Sequence, residues 1–322
     1  MQHRSILQVF SLNRIPARQV RRLLAVSFAI AFALLSEVVW ADSQQPAARR
    51  IVSMAPNITE TIFALGCGNR LVGVTDFCTY PPQAKRLPRV GGYFNPNLEK
   101  LTALRPDLVI VQGRHEKVDK FCREKGIPIF HVQMDSLSSI YDGILRLGSI
   151  LDCKQKAQEL SSAIRGKLGR IRKDIAGCPH KKVFICLGRA PGSMTNIYTA
   201  GGASFISELL HIAGGDNIFG DVTLPYPEAS SESLIKRAPE VIIEMRPGQK
   251  IAEGRRKEIV AEWNVFNTIP AVANHRVYVL TEDFLLIPGP RVAAAAWCLA
   301  RIVHGKGPAG SSHVEYSAAC GD

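Results

Sequence analysis

The chain has 322 residues, 46% of them hydrophobic and 21% charged, with 26 Gly and 19 Pro, and these proportions exclude collagen-like, coiled-coil and disordered classes. At about 150 residues per domain the length predicts two units, each large enough to bury its own core. The 40 Lys+Arg against 28 Asp+Glu give +12, which taken alone points to a polyanion or a membrane surface, but two segments absorb most of that charge.

The first is the leader. Arg4, Arg14, Arg18, Arg21 and Arg22 precede an uncharged apolar run, LLAVSFAIAFALL at 23–35, which is too short to span a bilayer comfortably. Val39-Trp40-Ala41 follows as a small-residue cleavage pattern, so residues 1–41 are expected to be a signal peptide cut after Ala41, with an uncleaved anchor as the alternative. The first cysteine is Cys67, so no cysteine stands at the cut to carry a lipid. Removing the segment takes away five Arg and one Glu and lowers the charge from +12 to +8. The second segment, 165–182, carries seven Lys and Arg with no interleaved aromatics, which reads as a solvated helix face; nucleic acid is not an expected partner. The eight cysteines include no CxxC pair, and their pairing stays open.

In chain order, residues 50–54 read as a strand. Residues 57–65 read as a helix, with Asn57 as N-cap and Glu60 completing a capping box, and Gly66 ends it. Then come a strand at 71–75, a helix at 97–104, a buried strand at 108–111, a helix at 118–125 and a strand at 129–132. Strands alternating with helices imply a parallel sheet covered on both faces. Ala157, Leu160, Ile164, Leu168, Ile171 and Ile175 are spaced as one long amphipathic helix over 152–176, with Asp152 and Gln155 as its start signal and Gly177 as its stop. Such a helix is on the order of 35 Å long, so Cys153 and Cys178 cannot bond to each other across it. Gly166 and Gly169 cost about 1 kcal/mol each there unless something packs close.

Beyond the helix the chain repeats itself. GCGNRLVG at 66–73 is echoed by GGDNIFG at 214–220, and NLEKL with PDLVI at 97–110 by SSESL with PEVII at 230–243. The reading is two similar α/β lobes, 42–151 and 178–305, joined by the helix at 152–177, with a tail at 306–322. Glu99 and Glu232 recur at matching places, each in the first turn of a helix where the dipole favours a carboxylate. Local physics accounts for either one; the repetition also suits a pair of exposed carboxylates for a two-fold cationic partner.

The stretches RIVSMAPNITETIFALG, GVTDFCTYPPQA, NLEKLTALRPDLVIV, AGGDNIFGDV, PYPEASSESLIKRAPEVII and TEDF resemble the periplasmic binding proteins of ATP-driven importers. The match lies in the class whose lobes are joined by one backbone helix, and within it with the cobalamin-binding members; ferric siderophore and haem binders share the fold. The resemblance implies two Rossmann-like lobes with parallel sheets, a ligand in the cleft between them, and a periplasmic, non-enzymatic carrier, monomeric when free. It further implies that Glu99 and Glu232 dock on the importer permease, which works with its ATPase. Phe77, Tyr93, Tyr226, Asp283 and Phe284 fall where cobalamin binders put cleft contacts, although such proteins often carry Trp at three of these places. The expected ligand is cobalamin or another corrinoid, with no catalytic residue, metal or other cofactor. A siderophore instead predicts cleft cations, for which Arg189 and Arg291 are candidates, and haem predicts an axial His or Tyr.

An enzyme acting on a metal chelate is the reading of another class. His115, His131, His211 and His275 share no metal-ligand spacing, and no G-x-S-x-G elbow occurs. Asn57-Ile58-Thr59 matches a glycosylation sequon, but a capping role at Asn57 makes that a coincidence.

Overall fold

The computed structural model describes residues 48–304; the expected leader and the tail lie outside them. The chain opens with β1 (Ile51–Ser53), α1 (Pro56–Ala64), β2 (Leu71–Val74), α2 (Leu98–Ala103), β3 (Leu108–Gln112), α3 (Glu116–Lys125) and β4 (Ile129–Val132). These strands form a four-stranded, all-parallel sheet in the order β2-β1-β3-β4. Two helices follow: α4 (Leu137–Ile150) and the long α5 (Lys154–Asp174).

The remainder is β5 (Lys181–Gly188), β6 (Ile197–Thr199), α6 (Phe205–Ile212), β7 (Gly215–Asn217), β8 (Glu228–Ala229), α7 (Ser231–Arg237), β9 (Val241–Met245), α8 (Glu253–Ala261), α9 (Pro270–Ala273), β10 (Val277–Leu280) and α10 (Val292–His304). Here β7, β5, β9 and β10 pair in parallel, strand for strand the order of the first sheet. The internal repeat is therefore a repeat of topology. The second sheet adds what alternation did not anticipate: β6 lies antiparallel to the far end of β5, and β8 antiparallel to β6.

Period-two alternation distributes the strand side chains among three cores. Val52, Val109 and Val111 pack on one face of the first sheet with Leu101, Val118 and Cys122. Phe184, Cys186 and Ile242 pack on one face of the second with Trp263 and Phe266. The remaining residues, Ile51 and Ile110 from the first sheet and Val183, Ile185, Val241 and Ile243 from the second, belong to one core. That core continues through Ala157, Ile164, Leu168 and Ile171 of α5 and along α10. The two lobes thus share apolar interior along α5, and opening them wide would expose it to water.

Three local expectations are corrected. Helix α1 begins at Pro56 with Ala55 in the N-cap position and no side-chain cap, because a proline at the first helical position already supplies the starting φ. Asn57 and Glu60 are buried and serve distant partners instead. Helix α5 starts at Lys154; Asp152 sits in the left-handed region at φ 56°, and Gln155 donates to Glu159 at 2.9 Å. Helix α4 fills a stretch not anticipated as helical. It is set by a capping box in which Ser136 Oγ accepts from Ser139 N at 3.2 Å and Ser139 Oγ accepts from Ser136 N at 2.9 Å.

Candidate functional site

In parallel α/β sheets the loops leaving the carboxyl ends of the strands gather on one side, and ligands collect there. In this chain the same loops bring the two halves together. Glu60 of α1 accepts a two-pronged hydrogen bond from Arg291, just ahead of α10, at 2.8 and 2.5 Å. After β4, the Asp135 carbonyl accepts from Phe205 N at 3.1 Å, and Leu137 N donates to Glu208 Oε1 of α6 at 3.2 Å. A Cβ on Gly289 would stand 3.3 Å from that of Asn57, so the backbones meet there with no side chain between them.

The Glu60–Arg291 pair is the chemical centre of this seam. Its side chains are 1% and 7% exposed, and Arg291 also donates to Asp283 Oδ1 at 2.8 Å. The guanidinium lies 4.0 Å from the Tyr80 ring centroid and 5.4 Å from that of Phe284. Burial raises the Glu60 pKa above the usual carboxylate value, while the Arg291 hydrogen bonds and charge oppose that rise. Arg291 itself stays protonated. Asn57 does not project to solvent: its amide donates to Gln112 Oε1 at 2.9 Å, so the sequon is inside the protein.

Aromatic residues surround the seam. Phe77, after β2, is 66% exposed, and its ring covers Gly92. Tyr93 donates to the Gln112 carbonyl at 2.8 Å, which pins the neighbouring loop to the end of β3. Its ring stacks at a tilt on His115, 4.8 Å between centroids, and Phe94 stands edge-on to it at 85% exposure. On the other half Tyr226 is 48% exposed and Leu224 59%, in the loop that the β6–β8 pairing holds. Partial burial, then the Asp135 carboxylate of the first half, raises the Tyr226 pKa, so the phenol keeps its proton as a donor.

The expected residues therefore separate into groups. Asp283 and Phe284 join Arg291, with Phe284 also packed on the shared core. Phe77 and Tyr93 lie in adjoining loops of the first half, and Tyr226 faces Asp135 from the second. Glu99 and Glu232 are exposed and occupy the second position of α2 and α7, behind N-caps in which Asn97 accepts from Lys100 N at 2.9 Å and Ser230 from Ser233 N at 3.1 Å. Phe94, Tyr80, Asp135 and Glu60 were not anticipated. A Tyr-Phe pair between two glycines and an Asn-Pro was the available signal for Phe94.

Neither candidate cation is free. Arg189 has no exposed side-chain surface; it donates to Glu244 at 3.1 Å and pairs with Glu262 at 2.6 Å, with Trp263 donating to Glu244 at 2.8 Å. Arg291 is held by Glu60 and Asp283. The two cations that the sequence offered for an anionic ligand are thus already paired. Among the described residues, His180, His211 and Asp216 bring potential ligand atoms within 4.8 Å of one another, all three residues being exposed. No helix among them is long and apolar enough to cross a membrane.

Two α/β lobes share one core along a long helix, and the loops at the carboxyl ends of their strands meet at the seam. The chain belongs to the periplasmic binding protein family, whose sequence pattern matches residues 51–284. It is 31% identical over 248 residues to the vitamin B12-binding protein of Vibrio parahaemolyticus serotype O3:K6, covering 76% of this chain and 86% of the relative. The crystal structure of the periplasmic vitamin B12 binding protein BtuF of Vibrio cholerae superposes with a TM-score of 0.66 at 30% identity, over 80% of this chain and 97% of that one. The periplasmic heme-binding protein RhuT from Roseiflexus sp. RS-1 superposes with a TM-score of 0.67 at 25% identity, over 80% and 98%.

Proposed function

We propose that this protein is an exported carrier that binds cobalamin or a related corrinoid between its lobes and presents it to the permease and ATPase of an importer. The observation that carries the reading is the presence of exposed aromatic faces, Phe77 and Phe94 on one side and Tyr226 on the other, while the two candidate anion-binding cations, Arg189 and Arg291, are already paired with carboxylates. A corrin is a broad, largely apolar ring with an amide fringe. Aromatic faces pack on such a ring, while the Tyr226 phenol and the Asp135 and Asp283 carboxylates offer hydrogen-bond partners to its fringe. The vitamin B12-binding relatives support the same ligand.

On this reading Phe77, Tyr93, Tyr226, Asp283 and Phe284 contact the ligand. The lobes are 42–151 and 178–305, joined over 152–177, and the leader is removed after Ala41 in the periplasm. Glu99 and Glu232, exposed at matching helix starts, dock on permease arginines, and the carrier turns nothing over. Lobe closure on binding is small, because the shared core and the Glu60–Arg291 clamp already hold the halves together.

A haem reading needs an axial His or Tyr. Tyr226 is an exposed candidate for that position, so titration with haem is the test that separates the two ligands. Equilibrium dialysis of cyanocobalamin tests the proposal: the chain should bind one equivalent, and Phe77→Ala with Tyr226→Ala should weaken binding by roughly 10²- to 10⁴-fold, each aromatic contributing about 1.5–3 kcal/mol. Unchanged affinity in that double variant would remove the cleft assignment.

A further inference from the structure

Two of the seven described cysteines come together. Cys67 Sγ and Cys153 Sγ are 2.7 Å apart although 86 residues separate them in sequence. Cys67 follows the C-terminal end of α1, and Cys153 is the N-cap residue of α5. Neither can drift far. Cys67 N donates to the Ile62 carbonyl at 2.9 Å, Cys153 N to the Gly148 carbonyl at 2.7 Å, and Arg70 ties the two segments by donating to the Leu151 carbonyl at 2.8 Å. Cys67 is buried and Cys153 partly exposed.

We infer that Cys67 and Cys153 form a disulfide in the exported protein, and that this bond braces the joint between the first lobe and the linking helix. Members of this family work in the periplasm, an oxidising compartment in which closely placed thiols become disulfides. The oxidation balances as a thiol–disulfide exchange. One cysteine thiolate attacks the disulfide of an oxidised periplasmic thiol oxidant, giving a mixed disulfide and one free thiol on the oxidant. The second cysteine, also deprotonated, then attacks its partner's sulfur in the mixed disulfide and expels the oxidant's remaining sulfur as a thiolate. One S–S bond forms between Cys67 and Cys153, two protons leave, and two electrons convert the oxidant to a dithiol. Burial, and after it the neighbouring Cys153, raise the Cys67 pKa to about 11, so the buried Cys67 thiol is a poor attacking group once the chain is folded.

The consequence for the fold follows from what α1 carries. Its Glu60 grips Arg291 of the second lobe, so a bond at the other end of α1 completes a continuous tie from α10 through α1 to the start of α5. A loop of this length confers large stabilisation when closed. None of this depends on which ligand the cleft takes.

Tryptic mapping of the purified full chain, denatured with an alkylating agent and no reductant, tests the inference. Cleavage after Arg50, Arg70, Arg146 and Lys154 isolates Cys67 in fragment 51–70 and Cys153 in fragment 147–154. The expected product is the two fragments joined, lighter than their sum by two hydrogens, and separated by reductant. Quantitative alkylation of both without reduction, or linkage of either to another cysteine, overturns the inference. For the brace, reductant should lower the melting temperature of the wild type by about 5–10 °C and leave that of Cys67→Ser/Cys153→Ser unchanged. A joined pair whose reduction leaves the melting temperature unmoved would overturn the bracing role.

Discussion

Arg291→Met is the sharpest perturbation of the lobe seam. It removes the guanidinium from Glu60, whose side chain is 1% exposed, and leaves a carboxylate with no charged partner in the interior. Breaking a buried pair from one side costs about 3–5 kcal/mol, a fall in melting temperature of roughly 6–20 °C for a protein of this size. Asp283 loses the same partner at little cost, since its side chain is 40% exposed. The loss should also depend on pH. Burial already holds the folded Glu60 pKa above 4.5, and removing Arg291 takes away what opposes that rise. The native variant therefore binds more protons than the unfolded chain above that value, so its stability falls as pH rises through the interval and recovers on acidification. Denaturant unfolding at pH 5 and pH 8, followed by circular dichroism, reads both effects. Arg291→Met with Glu60→Leu removes both charges and should regain most of the loss. An Arg291→Met protein within about 1 kcal/mol of wild type, or a double variant no better than the single one, would refute a clamp at this seam.

Glu99→Ala with Glu232→Ala should abolish uptake in cells that depend on this carrier while leaving ligand affinity intact; normal transport by the double variant would remove the docking assignment. Gly166→Ala and Gly169→Ala should each stabilise by about 1 kcal/mol in denaturant unfolding, because a Cβ at either place meets nothing within 4 Å. Destabilisation by either would mean that this face of α5 is covered by something in solution.

The sequence made the topology of the first sheet readable because its strands and helices advertise their own periods, and the repeat of GNRLVG and DNIFG lies where β2 and β7 hold equivalent places. The stripe from Ala157 to Ile171 found the core side of α5 for the same reason. What stayed hidden depends on partners far along the chain. Glu60 has the spacing of a capping box, and only its contact with a residue 231 positions away reveals another use. Arg291 offered itself as a ligand for an anion, since a sequence shows a charge and not its counter-charge. The start of α5 moved because Asp152 adopts positive φ, which an aspartate tolerates and a simple cap pattern does not register. Helix α4 was missed although Leu137, Ile140, Tyr141, Ile144 and Leu147 are spaced for one face, because the adjoining longer helix drew the boundary. Strands β6 and β8, of three and two residues, carry no periodic signal at all, yet they hold the loop of Tyr226.

The proposed ligand of the exposed aromatic faces is a corrin rather than an anionic iron chelate. Equilibrium titration of the purified protein with cobalamin, haem and a ferric siderophore, read by absorbance, tests this most directly. One equivalent of cobalamin bound, with no saturable binding of the siderophore or haem, is the predicted result. Saturable binding of an iron chelate with none of cobalamin or related corrinoids would contradict it.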